Sequence, residues 1–253
     1  MTGVRRELRG EIGIVELAEP ESRNALSAAV RCGLLAALAR LEADGAAAVV
    51  ITGQGSAFCA GGDLRAMPAD AAAGQAFIAE ILAFFRTVRD CPVATIAAVN
   101  GPAVGGGAEL VLACDLVVAA ERASFGFPET GLGMVAPFAA MTLPALVPRP
   151  LAKELALTGR VLGAAEAARL GLVNRVCPDE RLLAVAVEFA QVVAERSRLA
   201  NSITKAIQNG AVATPEAVAR LNSAVFAAAD TKHRIQRFLD RHRAPRPAEG
   251  AAP

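Results

Sequence analysis

The sequence predicts an α/β fold with ligand sites at the ends of its strands. Three observations predict it. Short apolar, β-compatible runs alternate with longer helical segments over most of the chain. Two of these runs, Ala47–Ile51 and Val93–Val99, each lead into a glycine-bearing turn, where α/β proteins place their ligands. From Arg181 to Arg241 the pattern is purely helical, so a helical region follows the α/β part.

The elements follow in order. Glu11–Leu17 alternates as a strand, and Pro20-Glu21-Ser22 breaks it. Ser27 is placed to cap a helix whose apolar positions are Leu34, Leu35, Leu38 and Leu41. The strand Ala47–Ile51 ends in Thr52-Gly53-Gln54-Gly55, and the turn Phe58–Leu64 carries Gly61 and Gly62. A helix from about Ala71 to Val88 leads to the strand Val93–Val99. Asn100-Gly101-Pro102 is turn chemistry, and Pro102 cannot continue a central strand. Leu116–Ala119 is a further strand, and Lys153–Leu157 a helix stopped by Thr158-Gly159. Ala164–Leu170 is a short helix ended by Gly171, and Val173–Val176 a last strand. The helical region breaks around Gly210–Pro215, and the Pro/Ala/Gly-rich end, Ala244–Pro253, reads as disordered. A boundary near Ser197 separates an α/β core (1–196) from a C-terminal helical region (197–253).

Composition narrows the chemistry. With 54% apolar and 20% charged residues, the chain can bury a large core. A net charge of +1, and the lack of Tyr and Trp, offer no footing for nucleic acid. The start has no apolar h-region and no later run approaches a membrane span, so a cytoplasmic protein with no membrane partner is expected. The five cysteines form no CxxC pair, which speaks against a disulfide framework and a zinc site. Only His233 and His242 are present, both in the charged C-terminal segment. A Ser-His-Asp machine or a His-ligated metal is therefore not expected, and any proton transfer falls to carboxylates. Gly131–Ala136 fits GxGxxA, but it opens no βαβ unit and no acidic residue follows at the right distance.

The richest stretch is Ala97–Asp115, AAVNGPAVGGGAELVLACD. Gly105, Gly106 and Gly107 leave bare backbone against which a ligand can lie, and Ala108–Cys114 are helix formers. Unpaired N–H groups at such a helix start bind anions or stabilise an oxygen that becomes negative. Glu109 stands in an apolar run, where desolvation would raise its pKa and suit it to acid/base work. Glu129 is a second carboxylate among aromatic and apolar residues. The glycines could instead serve close packing, and Glu109 could simply complement the helix dipole.

Four motifs together resemble the crotonase, or enoyl-CoA hydratase/isomerase, superfamily. They are Asn24-Ala25-Leu26, AFCAGGDL (Ala57–Leu64), the Ala97–Asp115 stretch, and SFGFPETGLG (Ser124–Gly133). LTGRVLGAAEAARLGLVNRV (Leu157–Val176) also looks like a family segment. The resemblance implies a spiral of ββα units with a C-terminal α-helical oligomerisation region that builds trimers, often paired into hexamers. It places an oxyanion hole at the backbone N–H groups of Gly62 and Gly106, where a thioester carbonyl would be held. It suggests that Ala60, Asp63, Leu64 and Arg65 line the CoA side, although Asp63 could equally cap the next segment.

The family's hydratases carry two glutamates, matched here by Glu109 and Glu129. By that resemblance Glu109 activates a water for attack at Cβ, and Glu129 protonates Cα. The implied activity is reversible hydration of a 2-enoyl-CoA. No cofactor is implied beyond the CoA of the substrate, nor any metal. Isomerisation, another acyl-CoA chemistry, or a non-catalytic acyl-CoA scaffold are the alternatives. The sequence departs from the family just after Glu129. Where many hydratases have a glycine-rich run, this chain has Met134-Val135-Ala136-Pro137-Phe138-Ala139-Ala140-Met141. Met134 and Phe138 would either reshape the acyl pocket toward branched or aromatic groups or simply fill core. The C-terminal arginines, Arg234 to Arg246, are either a solvated helix face or contacts for CoA phosphates.

Overall fold

The structure, a computed structural model, describes residues 3–68, 70–211 and 214–243. The expected Pro/Ala/Gly-rich end lies outside the described residues. Two compact units divide the chain between Glu195 and Arg196.

The first unit opens with β1 (Val4–Arg9) and β2 (Ile12–Leu17), an antiparallel pair in register from Val4↔Leu17 to Arg9↔Ile12. β1 is not anticipated from sequence. It is an edge strand exposed along nearly its whole length, so it shows no apolar alternation. Ser27 then caps α1 (Ala28–Ala43), its hydroxyl accepting from the Val30 N–H, as expected. β3 (Ala48–Gly53), α2 (Ala71–Arg89) and β4 (Ala94–Val99) follow. After β4 the chain leaves the sheet at Asn100-Gly101 and forms β5 (Pro102–Val104), α3 (Gly106–Ala113), β6 (Leu116–Ala120) and β7 (Ser124–Gly126). Next come α4 (Pro137–Leu146), α5 (Arg149–Thr158), β8 (Leu162–Gly163), α6 (Ala164–Arg169), β9 (Arg175–Cys177) and α7 (Leu182–Ala194).

The main sheet has the order β1-β2-β3-β4-β6-β9, parallel throughout except for the β1–β2 pair. A smaller sheet, β5-β7-β8, takes up the strand that begins at Pro102. Pro102 lacks an N–H to give a ladder, and here it starts an exposed strand edge.

Successive side chains of the buried parallel strands point to opposite faces, and both faces are covered. Val49 and Ile51 of β3 and Ala97 and Val99 of β4 face the larger core with Leu34, Leu38 and Leu41 of α1 and Phe84, Phe85 and Val88 of α2. Ala48, Val50, Ile96, Ala98 and Val118 face the other way, onto Leu182, Ala186 and Ala190 of α7.

α7 therefore belongs to the first unit. Val187, Phe189 and Val193 pack against this second core. The expectation that no run approaches a membrane span is corrected at α2, which at 19 residues is long and apolar enough by length and composition to cross one. Its Phe84, Phe85 and Val88 are buried in the core of the first unit.

The second unit holds α8 (Arg198–Gln208), α9 (Pro215–Ala227) and α10 (Ala229–Arg243). Thr214 caps α9 through its hydroxyl, and Arg234 pairs with Asp230 one turn earlier at 2.7 Å. Phe226, Ile235, Phe238 and Leu239 are exposed.

Candidate active site

Two glycine turns meet beside the ends of β3 and β4. The first follows β3 and is held by two buried asparagines. Asn24 sits at φ +59°, fully buried, and its amide donates to Gln54 O and Ala57 O while its oxygen accepts from Glu19 N. Asn100 donates to Gly55 O and to the same Ala57 carbonyl, and accepts from Gly53 N. These bonds satisfy loop groups that a buried turn would otherwise leave unpaired.

The loop then reaches Gly61 at φ +94°, where a Cβ would also lie 2.6 Å from Val104 O. Only glycine fits that backbone and that approach. The second turn passes Gly105 at φ +54° into α3, and a Cβ on Gly107 would overlap Cys59 O. The turns touch: a Cβ built on Gly106 would be 3.5 Å from Gly62 N. Gly62 is exposed and Gly106 half-buried. Among the described residues neither N–H has a backbone acceptor. Cys59, behind the first turn, accepts weakly from Gly61 N at 3.5 Å, and burial pushes its thiol up to about 12. It stays protonated and offers no thiolate nucleophile.

The carboxylates come from separate elements. Glu109 lies in the first turn of α3, 3% exposed, and its Oε1 accepts the Ala139 N–H of α4 at 2.9 Å. Burial raises its pKa from 4.5 to about 7; the Ala139 and Phe138 N–H groups oppose the rise and the Glu129 charge adds to it. Glu129 sits in the 3-10 turn Pro128–Leu132, half-buried. Burial raises its pKa too, against a bond from its own N–H. Its Oε1 lies 2.6 Å from where a Gly105 Cβ would stand, and its buried Oε2 has no hydrogen-bond partner among the described residues. The site thus joins two donors with no backbone acceptor, suited to an oxygen gaining charge, to two carboxyls whose pKa values burial raises.

The family model described as enoyl-CoA hydratase/isomerase matches residues 7–246. The chain belongs to the enoyl-CoA hydratase/isomerase family. A relative from Thermus thermophilus is 44% identical over 202 residues, covering 78% of this chain and 80% of its own. The mitochondrial enoyl-CoA hydratase of Pongo abelii is 32% identical over 248 residues, covering 95% of this chain and 85% of its own. A crystal structure of an enoyl-CoA hydratase subunit from Geobacillus kaustophilus superposes with a TM-score of 0.88 at 34% identity, covering 98% of each chain. The α/β fold expected from the sequence is that of the enoyl-CoA hydratase/isomerase family.

The remaining sequence-predicted residues are spread around this centre. Ala60 is half-buried, and its N–H donates to Arg23 O at 2.9 Å. Asp63 caps the 3-10 turn Leu64–Ala66 through the Arg65 N–H, and the Arg65 guanidinium holds its carboxyl below the usual range. Leu64 is exposed, and so is the Arg65 side chain. Met134 is half-buried, and its N–H donates to Glu129 O. Phe138 is 2% exposed, packed in the core with its ring 5.2 Å from that of Phe85. Among the described residues no cluster of His, Cys, Asp or Glu could hold a metal.

The family's Asn24-Ala25-Leu26 motif carries no assigned role in the sequence, and the structure supplies one for Asn24. A lone asparagine after the polar turn Glu21-Ser22-Arg23 is a weak signal, because its positive φ and its partners arise only after the loops close on it.

Proposed function

We propose that the chain is an enoyl-CoA hydratase, adding water reversibly across the double bond of a 2-enoyl-CoA. The observation that carries this is the pairing of two desolvated carboxyls with raised pKa values beside two adjoining backbone N–H groups. Gly62 and Gly106 hold the thioester oxygen and stabilise the enolate as charge moves onto it. Glu109 takes a proton from water as the oxygen bonds to Cβ, and Glu129 gives its proton to Cα. The proton taken replaces the proton given, so the pair returns to its starting charge. The bond from Ala139 N–H fixes the Glu109 carboxyl against the start of α4.

In this reading Ala60, Asp63, Leu64 and Arg65 line the CoA side, Met134 shapes the acyl end while Phe138, packed on Phe85, fills core, and nothing beyond the substrate's CoA is needed. The proposed location is the cytoplasm, and assembly as a homotrimer or homohexamer is supported by the exposed apolar residues of α9 and α10. A panel of 2-enoyl-CoA thioesters of differing length and branching tests the activity through loss of the conjugated thioester absorbance. Turnover of at least one member is expected. Tight CoA binding with no turnover of any would replace the enzyme by a binding scaffold.

A further inference from the structure

The Gly61–Gly62 peptide is anchored from behind. Its carbonyl, Gly61 O, accepts the Leu26 N–H at 2.7 Å. In a trans peptide the C=O and N–H point in opposite directions, so fixing the Gly61 carbonyl aims the Gly62 N–H. Leu26 is 2% exposed, and its Cδ1 lies 3.5 Å from where a Gly106 Cβ would stand, so the same residue abuts both turns. Leu26 is itself held by Arg31, one turn into α1, whose Nη1 donates to Leu26 O at 2.8 Å. Arg31 is 7% exposed, and its other terminal nitrogen meets Glu80 of α2 at 2.5 Å. A buried guanidinium is costly unless it is bonded, and this one is bonded at both terminal nitrogens.

We propose that Arg31 is a positioning residue for the Gly62 donor, acting through Leu26 and the Gly61 carbonyl. The proposal builds on the oxyanion-hole reading above. Arg31 touches no substrate; it keeps two flanking segments in one arrangement while charge develops on the thioester oxygen. Losing it frees Leu26 to shift, and a small misalignment of a donor weakens the transition state more than the bound substrate.

The test reads the thioester carbonyl directly. Hexanoyl-CoA labelled with ¹³C at that carbon is bound to each protein, and its C=O stretch is followed by difference infrared spectroscopy. Wild type is expected to lower the stretch relative to free ligand. Arg31→Met should return it toward the free value and reduce kcat about tenfold on the best panel substrate, with KM changed less than about twofold and the pH profile unmoved. Leu38→Ala, a core truncation on the same helix, is the stability control: it should lower Tm and leave the stretch at the wild-type value. If Arg31→Met does not fold, Arg31→Gln carries the measurement, since its amide is too short to reach Leu26 O and Glu80 together. A wild-type stretch in the Arg31 variant, or an equal displacement in Leu38→Ala, overturns the role of Arg31. A wild type that leaves the stretch unmoved overturns the oxyanion-hole reading itself.

Discussion

Glu109 Oε1 accepts the Ala139 backbone N–H at 2.9 Å, tying the first turn of α3 to the first turn of α4. That bond favours the ionised carboxylate, yet burial outweighs it, and the pKa rises to about 7. A general base must be deprotonated to work. Hydration should therefore fall as pH drops through about 7, and the kcat/KM profile of wild type locates that limb. An acid limb near the ordinary carboxylate pKa would remove Glu109 from the role of base.

The same raised pKa has a consequence for stability, with the opposite sense from most carboxylates. Between pH 4.5 and about 7 the folded Glu109 holds a proton that the unfolded chain has lost. Stability is therefore greatest in acid from this group and is lost as pH rises through that window, by on the order of 3 kcal/mol. Glu109→Gln keeps the acceptor for Ala139 without the charge. Its stability relative to wild type should be higher at about pH 8 than at about pH 5 in denaturant melts. An equal difference at both would mean that the carboxylate is not strained by burial.

Glutamine at either carboxylate separates hydratase from isomerase. Glu109→Gln and Glu129→Gln should each reduce hydration by ~10²–10⁴-fold while acyl-CoA binding changes little. Residues acting as a unit are not additive, so the double variant should be little worse than the weaker single one. Near-normal hydration by Glu109→Gln would replace the two-carboxylate mechanism by a one-base isomerase.

The glycines should not be equivalent. At Gly105, alanine meets both a positive φ and the Glu129 carboxylate, so Gly105→Ala should displace Glu129 and lower kcat by about tenfold or more in a folded protein. Gly163 has nothing within 4 Å of a Cβ and an ordinary φ, and Gly163→Ala should be silent. Circular dichroism and steady-state kinetics on both variants decide it; equal effects would contradict the placement of Glu129 against Gly105.

Assembly is measurable on wild type. Phe226 is 68% exposed and Phe238 54%, more apolar surface than helices of this size usually leave to water. Light scattering should report a trimer or hexamer at micromolar concentration. A stable monomer would leave these faces without that explanation.

Local chemistry made much of this protein legible from its sequence. Alternation marked β2, short continuous apolar runs marked β3, β4 and β6, and helical apolar spacing marked most helices, because the parallel strands are buried on both faces and the helices on one. Gly61-Gly62, Gly105–Gly107, Glu109 and Glu129 stood out as glycine turns after strands and carboxylates in apolar runs, and the resemblance of their motifs to one family chose between a functional role and close packing. The exposed strand β1 left no pattern to read, and the short strands of the second sheet too little of one. Tertiary packing alone decided that α7 covers the parallel sheet, since its apolar stripe would suit a subunit interface equally well. It alone brought the two glycine turns together, set Ala139 N–H on Glu109, and placed Asn24 and Asn100 on one carbonyl. Each of these joins segments distant in sequence, and a backbone N–H or C=O carries no residue-specific mark of the partner it will meet.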